Sequence, residues 1–348
     1  MRAYAHLLTL VIVIVVIVAC GGSPAATEPT TESSQENGTV PTAQVIATEP
    51  TTAPPTTSES PAAAASGSSP LTVTDASGFE VTLDSPAQRV VCLIDTCVDI
   101  LAELGMEPVA IFDKLAFHPQ FFGDQAANIT QISGGFADPS IEDIAVLQPD
   151  LVVQLLFDPT IRETLTNIAP IYFLDPKTYE ESVQDLRNIG TLTGRTSEAA
   201  QAEAYFDERL EAYKSSAPKD KKVLFIGGSP TSPDIQVVGD ATASLFREVA
   251  IYPWESPADG AISLEELLAV DPDVLFVTTF AFGGESGSVL DQFVNNPIWQ
   301  QLTAVGNDQV YEVDLFVWIG GEGTRSFNLI LDEAMPKIYP ETFPEPLP

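Results

Sequence analysis

Basic residues are scarce in this chain. Its 348 residues include 15 lysines and arginines against 49 aspartates and glutamates, a formal net charge of −34 at pH 7. Nucleic acid is excluded as a natural partner because its phosphates would be repelled, and an anionic lipid surface is disfavoured for the same reason. The acidity fits a basic partner protein or a saline or acidic environment, and charge alone does not choose between them.

Histidine is scarcer still, and the usual catalytic motifs are missing. The two histidines are His6 and His118, and we expect His6 to leave with a signal segment. A site for a bare zinc or manganese ion needs several converging imidazole or carboxylate ligands, so one histidine is a poor basis for it. The sequence has no Gly-x-Ser-x-Gly elbow and no Walker lysine. We therefore expect neither an enzyme nor a resident metal or cofactor.

The amino terminus carries an apolar run that is too short to span a bilayer. Residues 7–19 are almost continuously apolar and end at Cys20, whereas a spanning helix needs roughly 20 apolar residues. The run is typical of a signal peptide over residues 1–20. Ile17-Val18-Ala19-Cys20 resembles the bacterial lipobox, so we expect Cys20 to carry a lipid anchor. The alternative is a cleaved signal that leaves Cys20 unmodified.

Residues 21–70 contain no lysine or arginine and consist largely of Ser, Thr, Pro, Ala and Glu. Such a segment cannot bury enough apolar surface to offset its ordering entropy. We therefore expect a disordered tether that holds a folded domain away from a membrane surface.

Only two cysteines, Cys92 and Cys97, lie beyond the tether. In an oxidising exterior they could form a disulfide. The alternative is a pair of buried thiols, and spacing alone does not decide because the Cα separation cannot be taken from the sequence.

From residue 89 onward, short apolar runs alternate with amphipathic stretches. Continuous apolar strands separated by helices predict parallel sheets that are covered on both faces, so the fold class is α/β. The predicted strands cover residues 89–94, 108–112, 150–155, 171–174, 223–226 and 274–277.

The longest helical pattern covers residues 197–215, which contain no glycine or proline. Thr196 or Ser197 is the expected N-cap. Periodicity leaves open whether this helix covers a sheet or joins two lobes. Its predicted buried stripe consists of Ala202, Phe206, Arg209 and Tyr213.

A repeated unit on either side of this helix favours two lobes. Ser140-Ile141-Glu142-Asp143 is followed by Pro149-Asp150 and a strand, and Ser263-Leu264-Glu265-Glu266 is followed at the same spacing by Pro272-Asp273 and a strand. Each unit has a serine that can cap a helix and acids that favour its positive end. We expect each lobe to contain one copy.

The order of these segments is similar to that of the substrate-binding proteins of ABC importers for iron–siderophore complexes, vitamin B12 and haem. The likeness runs from about residue 71 to 336, and no single motif carries it alone. The segments that carry it are residues 73–83, Pro86, Arg89-Val90-Val91, the two repeated units, Asn296-Pro297-Ile298-Trp299, residues 310–314, Trp318 and residues 328–332.

The resemblance implies two α/β lobes with mostly parallel sheets joined by a single long rigid helix. The lobes would be residues 71–195 and 218–348, with residues 196–217 as the connecting helix. It also implies that one glutamate per lobe, here Glu142 and Glu265, docks on arginine pockets of an ABC permease dimer. The alternative is that both are only first-turn helix acids.

In open α/β sheets, ligands bind beyond the carboxyl ends of the strands. That rule points to Asp95 and Thr96 after the first strand and to Thr279 and Phe280 after a strand of the second lobe. It also points to Lys114, His118 and residues 134–136 and 156–157 in the first lobe, and to residues 227–229, Trp254, Phe282 and residues 318–325 in the second. Among these we favour aromatic and polar side chains, which suit a ligand cavity. The predicted ligand contacts are Lys114, His118, Phe136, Phe157, Trp254, Phe282, Trp318 and Arg325.

The expected ligand is a ferric siderophore, with iron present only as part of the bound chelate. With so few basic residues, a near-neutral hydroxamate complex or a corrinoid is favoured over a highly anionic catecholate complex, and haem is a further alternative. A ligand sensor that is not coupled to import is also compatible with the sequence. We expect a monomer.

Overall fold

The computed structural model describes residues 69–348 except 113, 136–137, 158, 256–259 and 282–284. The predicted signal segment with Cys20, and the tether up to residue 68, therefore lie outside the described residues.

Strands and helices alternate through most of the described chain. The strands are β1 Leu71–Thr74, β2 Glu80–Leu83, β3 Val90–Cys92, β4 Ala110–Ile111, β5 Thr130–Gln131, β6 Gly134–Gly135, β7 Asp138–Pro139, β8 Leu151–Leu155, β9 Ile171–Leu174, β10 Val223–Gly228, β11 Ile235–Val237, β12 Ala261–Ile262, β13 Val274–Thr279 and β14 Val310–Glu312. The α-helices are α1 Asp95–Glu103, α2 Ile141–Val146, α3 Ile161–Leu165, α4 Tyr179–Leu192, α5 Thr196–Ser216, α6 Asp240–Val249, α7 Leu264–Val270, α8 Thr303–Gly306 and α9 Thr324–Ile338. Across the described residues, none of these helices has the length and apolar character needed to cross a bilayer.

The first lobe is built on a five-stranded parallel sheet in the order β5-β4-β3-β8-β9. Every residue of β3 and β9 is buried, which explains why these strands are continuous apolar runs: a parallel sheet is covered on both faces. The antiparallel hairpin β1–β2 precedes this sheet in the chain.

The second lobe has a separate five-stranded sheet in the order β12-β11-β10-β13-β14. The strands β10, β13 and β14 are parallel, whereas β11 and β12 are antiparallel. The predicted class of two α/β lobes with mostly parallel sheets is confirmed. The two antiparallel strands were not predicted, because β11 and β12 are only three and two residues long.

The repeated unit forms the same structure in each lobe. The Ser140 hydroxyl accepts a hydrogen bond from Asp143 N, and that of Ser263 accepts one from Glu266 N. Each serine thus caps a short helix, α2 or α7, and each helix leads to a central strand, β8 or β13. The capping prediction is confirmed.

The connecting helix α5 begins one residue before the prediction and ends one residue after it. Its four-residue buried stripe is as predicted, and Arg209 in that stripe forms an ion pair with Asp332 of α9. The predicted cap was wrong: the N-cap residue is Arg195, and it makes no side-chain cap.

The last helix, α9, returns to the first lobe. Phe327 packs against Phe206 of α5, with ring centroids 5.8 Å apart. At its amino end, the backbone amides of Arg325 and Ser326 donate to Asp99 of α1 at 3.2 and 2.8 Å. A carboxylate from the first lobe therefore caps the final helix of the chain.

Candidate ligand-binding cleft

A cavity of about 520 Å³ lies between the two lobes, at the carboxyl ends of their strands. Its volume is in the range of small-molecule sites, roughly 300–1,000 Å³. The first lobe contributes Ile94, Asp95, Thr96 and Leu155, and the second contributes Phe280, Leu315, Phe316, Ile319, Gly320 and Glu322. Most of this wall is apolar.

The first-lobe wall is the turn from β3 into α1. A disulfide joins Cys92 at the end of β3 to Cys97 in the first turn of α1, with the two Cα atoms 5.4 Å apart. Three cleft residues, 94 to 96, thus lie inside a short covalent loop. Asp95 Oδ1 also accepts a hydrogen bond from Leu115 N at 3.1 Å, which fixes the carboxylate.

The second-lobe wall is a π-helical turn, Phe316–Gly321, followed by a glycine-rich loop. The turn directs Phe316 and Ile319 into the cleft and buries Val317 in the lobe. The two walls meet directly, because Thr96 Oγ1 donates to the carbonyl oxygen of Gly320 at 3.1 Å. π-Turns of this kind occur often at functional sites.

Glu322 is the acidic residue of the second wall. It is partly buried and has a left-handed backbone with φ of 43°. Burial raises the pKa of its carboxyl to about 8, an effect that nearby Lys177 opposes and that Asp240 and Asp175 reinforce. Within the described part of the chain, the Glu322 side chain has no hydrogen bond or salt bridge.

Trp318 does not line the cleft. Its side chain is 0% exposed and packs in the core of the second lobe, with its ring centroid 4.7 Å from that of Phe276 and 5.2 Å from that of Phe225. Its indole nitrogen donates to Glu333 at 2.9 Å. We therefore remove Trp318 from the expected ligand contacts: the π-turn directs it away from the cavity.

The Arg325 side chain does not line the cleft either, because it is bonded to other groups. Its guanidinium donates to the carbonyl oxygens of Gln120 and Ala102 at 2.8 and 3.1 Å and pairs with Glu103 at 3.3 Å. Arg325 therefore links α9 to α1, and its guanidinium is not available as an expected ligand contact.

Three other predicted ligand contacts, His118, Lys114 and Trp254, do not lie at the cleft. His118 lines a different cavity of about 340 Å³, and its Nδ1 accepts from Gln120 N at 3.3 Å. Lys114 is exposed beside a 3₁₀ turn. Trp254 is half-buried against the core of the second lobe. None of these three is among the residues that line the cleft in the described chain.

Phe157 lies two residues beyond the cleft residue Leu155 and is 65% exposed. It extends the first-lobe rim and does not form the cavity wall. Phe136 and Phe282 lie outside the described residues.

The carboxyl-end rule pointed to several residues that line the cavity, among them Asp95, Thr96 and Phe280. It did not point to Leu315 and Phe316. The available signal was their position directly after β14, the edge strand that pairs with β13.

Glu142 and Glu265 occupy equivalent second positions in α2 and α7, and both are exposed. The third-position acids are used locally: Asp143 accepts from Ser133, and Glu266 completes a capping box with Ser263. Those hydrogen bonds lower the pKa of both third-position carboxyls. Each second-position carboxylate remains at the surface of its own lobe.

The described residues contain no cluster of three or more His, Cys, Asp or Glu side chains arranged to hold a metal ion.

Comparison with known proteins decides the family. A sequence profile described as periplasmic binding protein matches residues 90–315. This chain belongs to that family. It is a family of substrate-binding proteins and not an enzyme family.

Two relatives illustrate the likeness. The Fe(3+)-citrate-binding protein YfmC of Bacillus subtilis (strain 168) is 26% identical over 270 residues, which cover 75% of this chain and 84% of the relative. The Fe(3+) dicitrate-binding periplasmic protein FecB of Escherichia coli (strain K12) is 29% identical over 276 residues, which cover 77% and 90%.

A solved structure shares the fold. The petrobactin-binding protein YclQ from Bacillus subtilis superposes with a TM-score of 0.67 at 21% identity and covers 78% of this chain and 99% of its own. At that identity the likeness concerns the fold alone.

Proposed function

We propose that this protein is the receptor of an ABC importer and binds a ferric siderophore, or a related ferric chelate, in the cleft between its lobes. The main support for this proposal is the apolar cavity at the carboxyl ends of both sheets. The two relatives described above are named for the ferric chelates that they bind. Residues 71–195 and 218–348 would form the two lobes that hold the ligand between them, and the rigid helix of residues 196–217 would join them.

We further propose that the receptor is exported and anchored. Residues 1–20 would act as the signal, Cys20 would carry the lipid, and residues 21–70 would form the tether to the cell membrane. Mass spectrometry of the mature protein tests this: a diacylglyceryl group on Cys20 is expected, and an unmodified amino terminus at Cys20 would contradict it.

Ligand titration tests the binding function. Isothermal calorimetry suits it better than tryptophan fluorescence, because none of the three tryptophans lines the described cleft. Purified protein should bind at least one member of a panel of ferric hydroxamate, catecholate and citrate complexes, cobalamin and haem, without altering it. A panel that gives no heat of binding with any member would overturn the proposal.

Glu142 and Glu265 are proposed as the docking residues for the permease. Both carboxylates are exposed, and the neighbouring third-position acids are occupied in capping. Val146, one turn after Glu142, is 83% exposed and adds an apolar contact to the same face of α2. Separated carboxylates that meet basic pockets would set both attraction and register.

The combined change Glu142→Ala with Glu265→Ala should leave chelate affinity unchanged but abolish uptake, because neither residue lines the cleft. Uptake of radioactive iron by cells that express the importer measures this. Glu180→Ala is the matched control, since Glu180 is an exposed acid at the same second position of α4. Normal uptake by the double variant would refute the docking role.

A further inference from the structure

The charges that line the cleft are all acidic. Its lining residues in the described chain include two carboxyl groups, Asp95 and Glu322, and no lysine or arginine. Two cations close to Glu322 in space or in the chain are held by other groups: Lys177 pairs with Asp175 at 2.8 Å, and Arg325 pairs with Glu103. An anionic ligand would lose its hydration here without gaining an opposite charge, which is unfavourable.

The position of Glu322 is fixed by close packing around it. A Cβ atom on Gly321 would come within 1.8 Å of the Ser326 hydroxyl, and one on Gly323 within 2.2 Å of Asp99 Oδ1. The loop therefore lies directly against α1 and α9, and the left-handed backbone at Glu322 is held between these contacts. Strained backbone that is fixed by its surroundings is common at ligand-binding sites.

We infer that the cleft selects a ferric chelate without net negative charge that presents a protonated amine to Glu322, the specificity-determining residue of the site. A ferric ion bound by hydroxamates can form a neutral complex, and a pendant amine makes it cationic, whereas catecholate and citrate complexes of iron are anions. This inference rests on the proposed chelate-binding function and narrows it to one charge class.

A cationic ligand group would also relieve an unfavourable feature of the free protein. The Glu322 carboxyl is costly to ionise in the cleft wall, because burial raises its pKa to about 8. An ammonium group beside it would stabilise the carboxylate form. Asp95, Asp175 and Asp240 would add attraction, and Lys177 would oppose it.

Calorimetry with matched ligands tests the inference. The probes are a ferric trihydroxamate with a free terminal amine, the same complex with that amine acetylated, ferric citrate and a ferric triscatecholate. Wild-type protein should bind the two hydroxamates more tightly than either anion. Glu322→Gln should weaken binding of the amine-bearing complex by about tenfold or more, through loss of a charge-assisted hydrogen bond, and should change binding of the acetylated complex little.

Asp308→Asn is the control variant. Asp308 is an exposed acid that also has a left-handed backbone, with φ of 57°, and it does not line the cleft. It should leave all affinities unchanged. Tighter binding of either anion, or an equal loss for both hydroxamates in Glu322→Gln, would overturn the inference but leave the proposed function standing. If no chelate binds, the proposed function itself fails.

Discussion

At the scale of single residues, three glycines determine how closely the two lobes approach. A Cβ atom on Gly320 would lie 2.8 Å from Asp95 Oδ2, and those on Gly321 and Gly323 would also meet neighbouring side chains at under 3.0 Å. Because real Cβ atoms do not approach other atoms so closely, a larger residue here would force the loop away from α1. The glycines thus permit the cleft walls to meet.

We predict that Gly323→Ala destabilises the protein by about 1–3 kcal/mol, in the range expected for overpacking. The Gly323 backbone has φ of −113°, which any residue can adopt, so the effect would be steric. Chemical denaturation measures it. The control is Gly306→Ala, where a Cβ would meet nothing within 4 Å. Equal stability of both variants would contradict the prediction.

At the scale of elements, the turn between β3 and α1 combines a covalent constraint with residues that line the cleft. The Cys92–Cys97 bond encloses Ile94, Asp95 and Thr96, all of which line the cleft. A loop this short removes little entropy from the unfolded chain compared with a long one. We therefore assign its main effect to preorganisation of the cleft wall.

We predict that Cys92→Ser with Cys97→Ser weakens chelate binding by about tenfold, because the turn must then be ordered when the ligand binds. Calorimetry gives the affinity, and a thermal melt of the same samples separates this loss from unfolding. Unchanged affinity in a folded double variant would show that packing alone holds the turn.

At the scale of the whole molecule, the buried acids and the high negative charge both make the folded protein less stable as pH rises. Burial raises the pKa of Asp99 to about 7 and that of Asp185 to about 7, from 3.8 for each. Between these values the folded protein binds more protons than the unfolded chain, so stability falls as pH rises from about 4 to 7. Growing repulsion among ionised carboxylates adds to this fall.

We predict a higher Tm at about pH 5 than at about pH 8, measured by calorimetric melting, with a difference of the order of a few kcal/mol in stability. Asp185→Asn should reduce the pH dependence. The asparagine oxygen can still accept from the Tyr172 hydroxyl, which lies 2.6 Å from Asp185 Oδ1, while the titrating group is removed. A Tm that rises steadily with pH would contradict the prediction.

The sequence predicts those parts of the fold whose apolar residues recur at helical spacing or form a continuous run. The central strands β8, β10 and β13 are fully or almost fully buried, so their apolar runs identify them. The antiparallel strands β11 and β12 are too short to leave such a pattern.

The site was harder to predict than the fold, because orientation within a turn is set by tertiary packing. The rule that ligands lie at strand ends identifies Asp95 and Phe280 from the sequence. It does not show that the turn after β14 buries Trp318 in the core and places Phe316 in the cleft wall. Arg325 is equally ambiguous, since its partner Glu103 is distant in the chain.

The return of α9 to the first lobe has a consequence for biosynthesis. Among the described residues, the partners that residues 325 and 326 supply to Asp99 and Glu103 of α1 lie 222 to 227 positions further along the chain. A fragment cut after residue 217 would leave Asp99 without the amides that it caps. The first lobe therefore completes these contacts only after α9 has been synthesised.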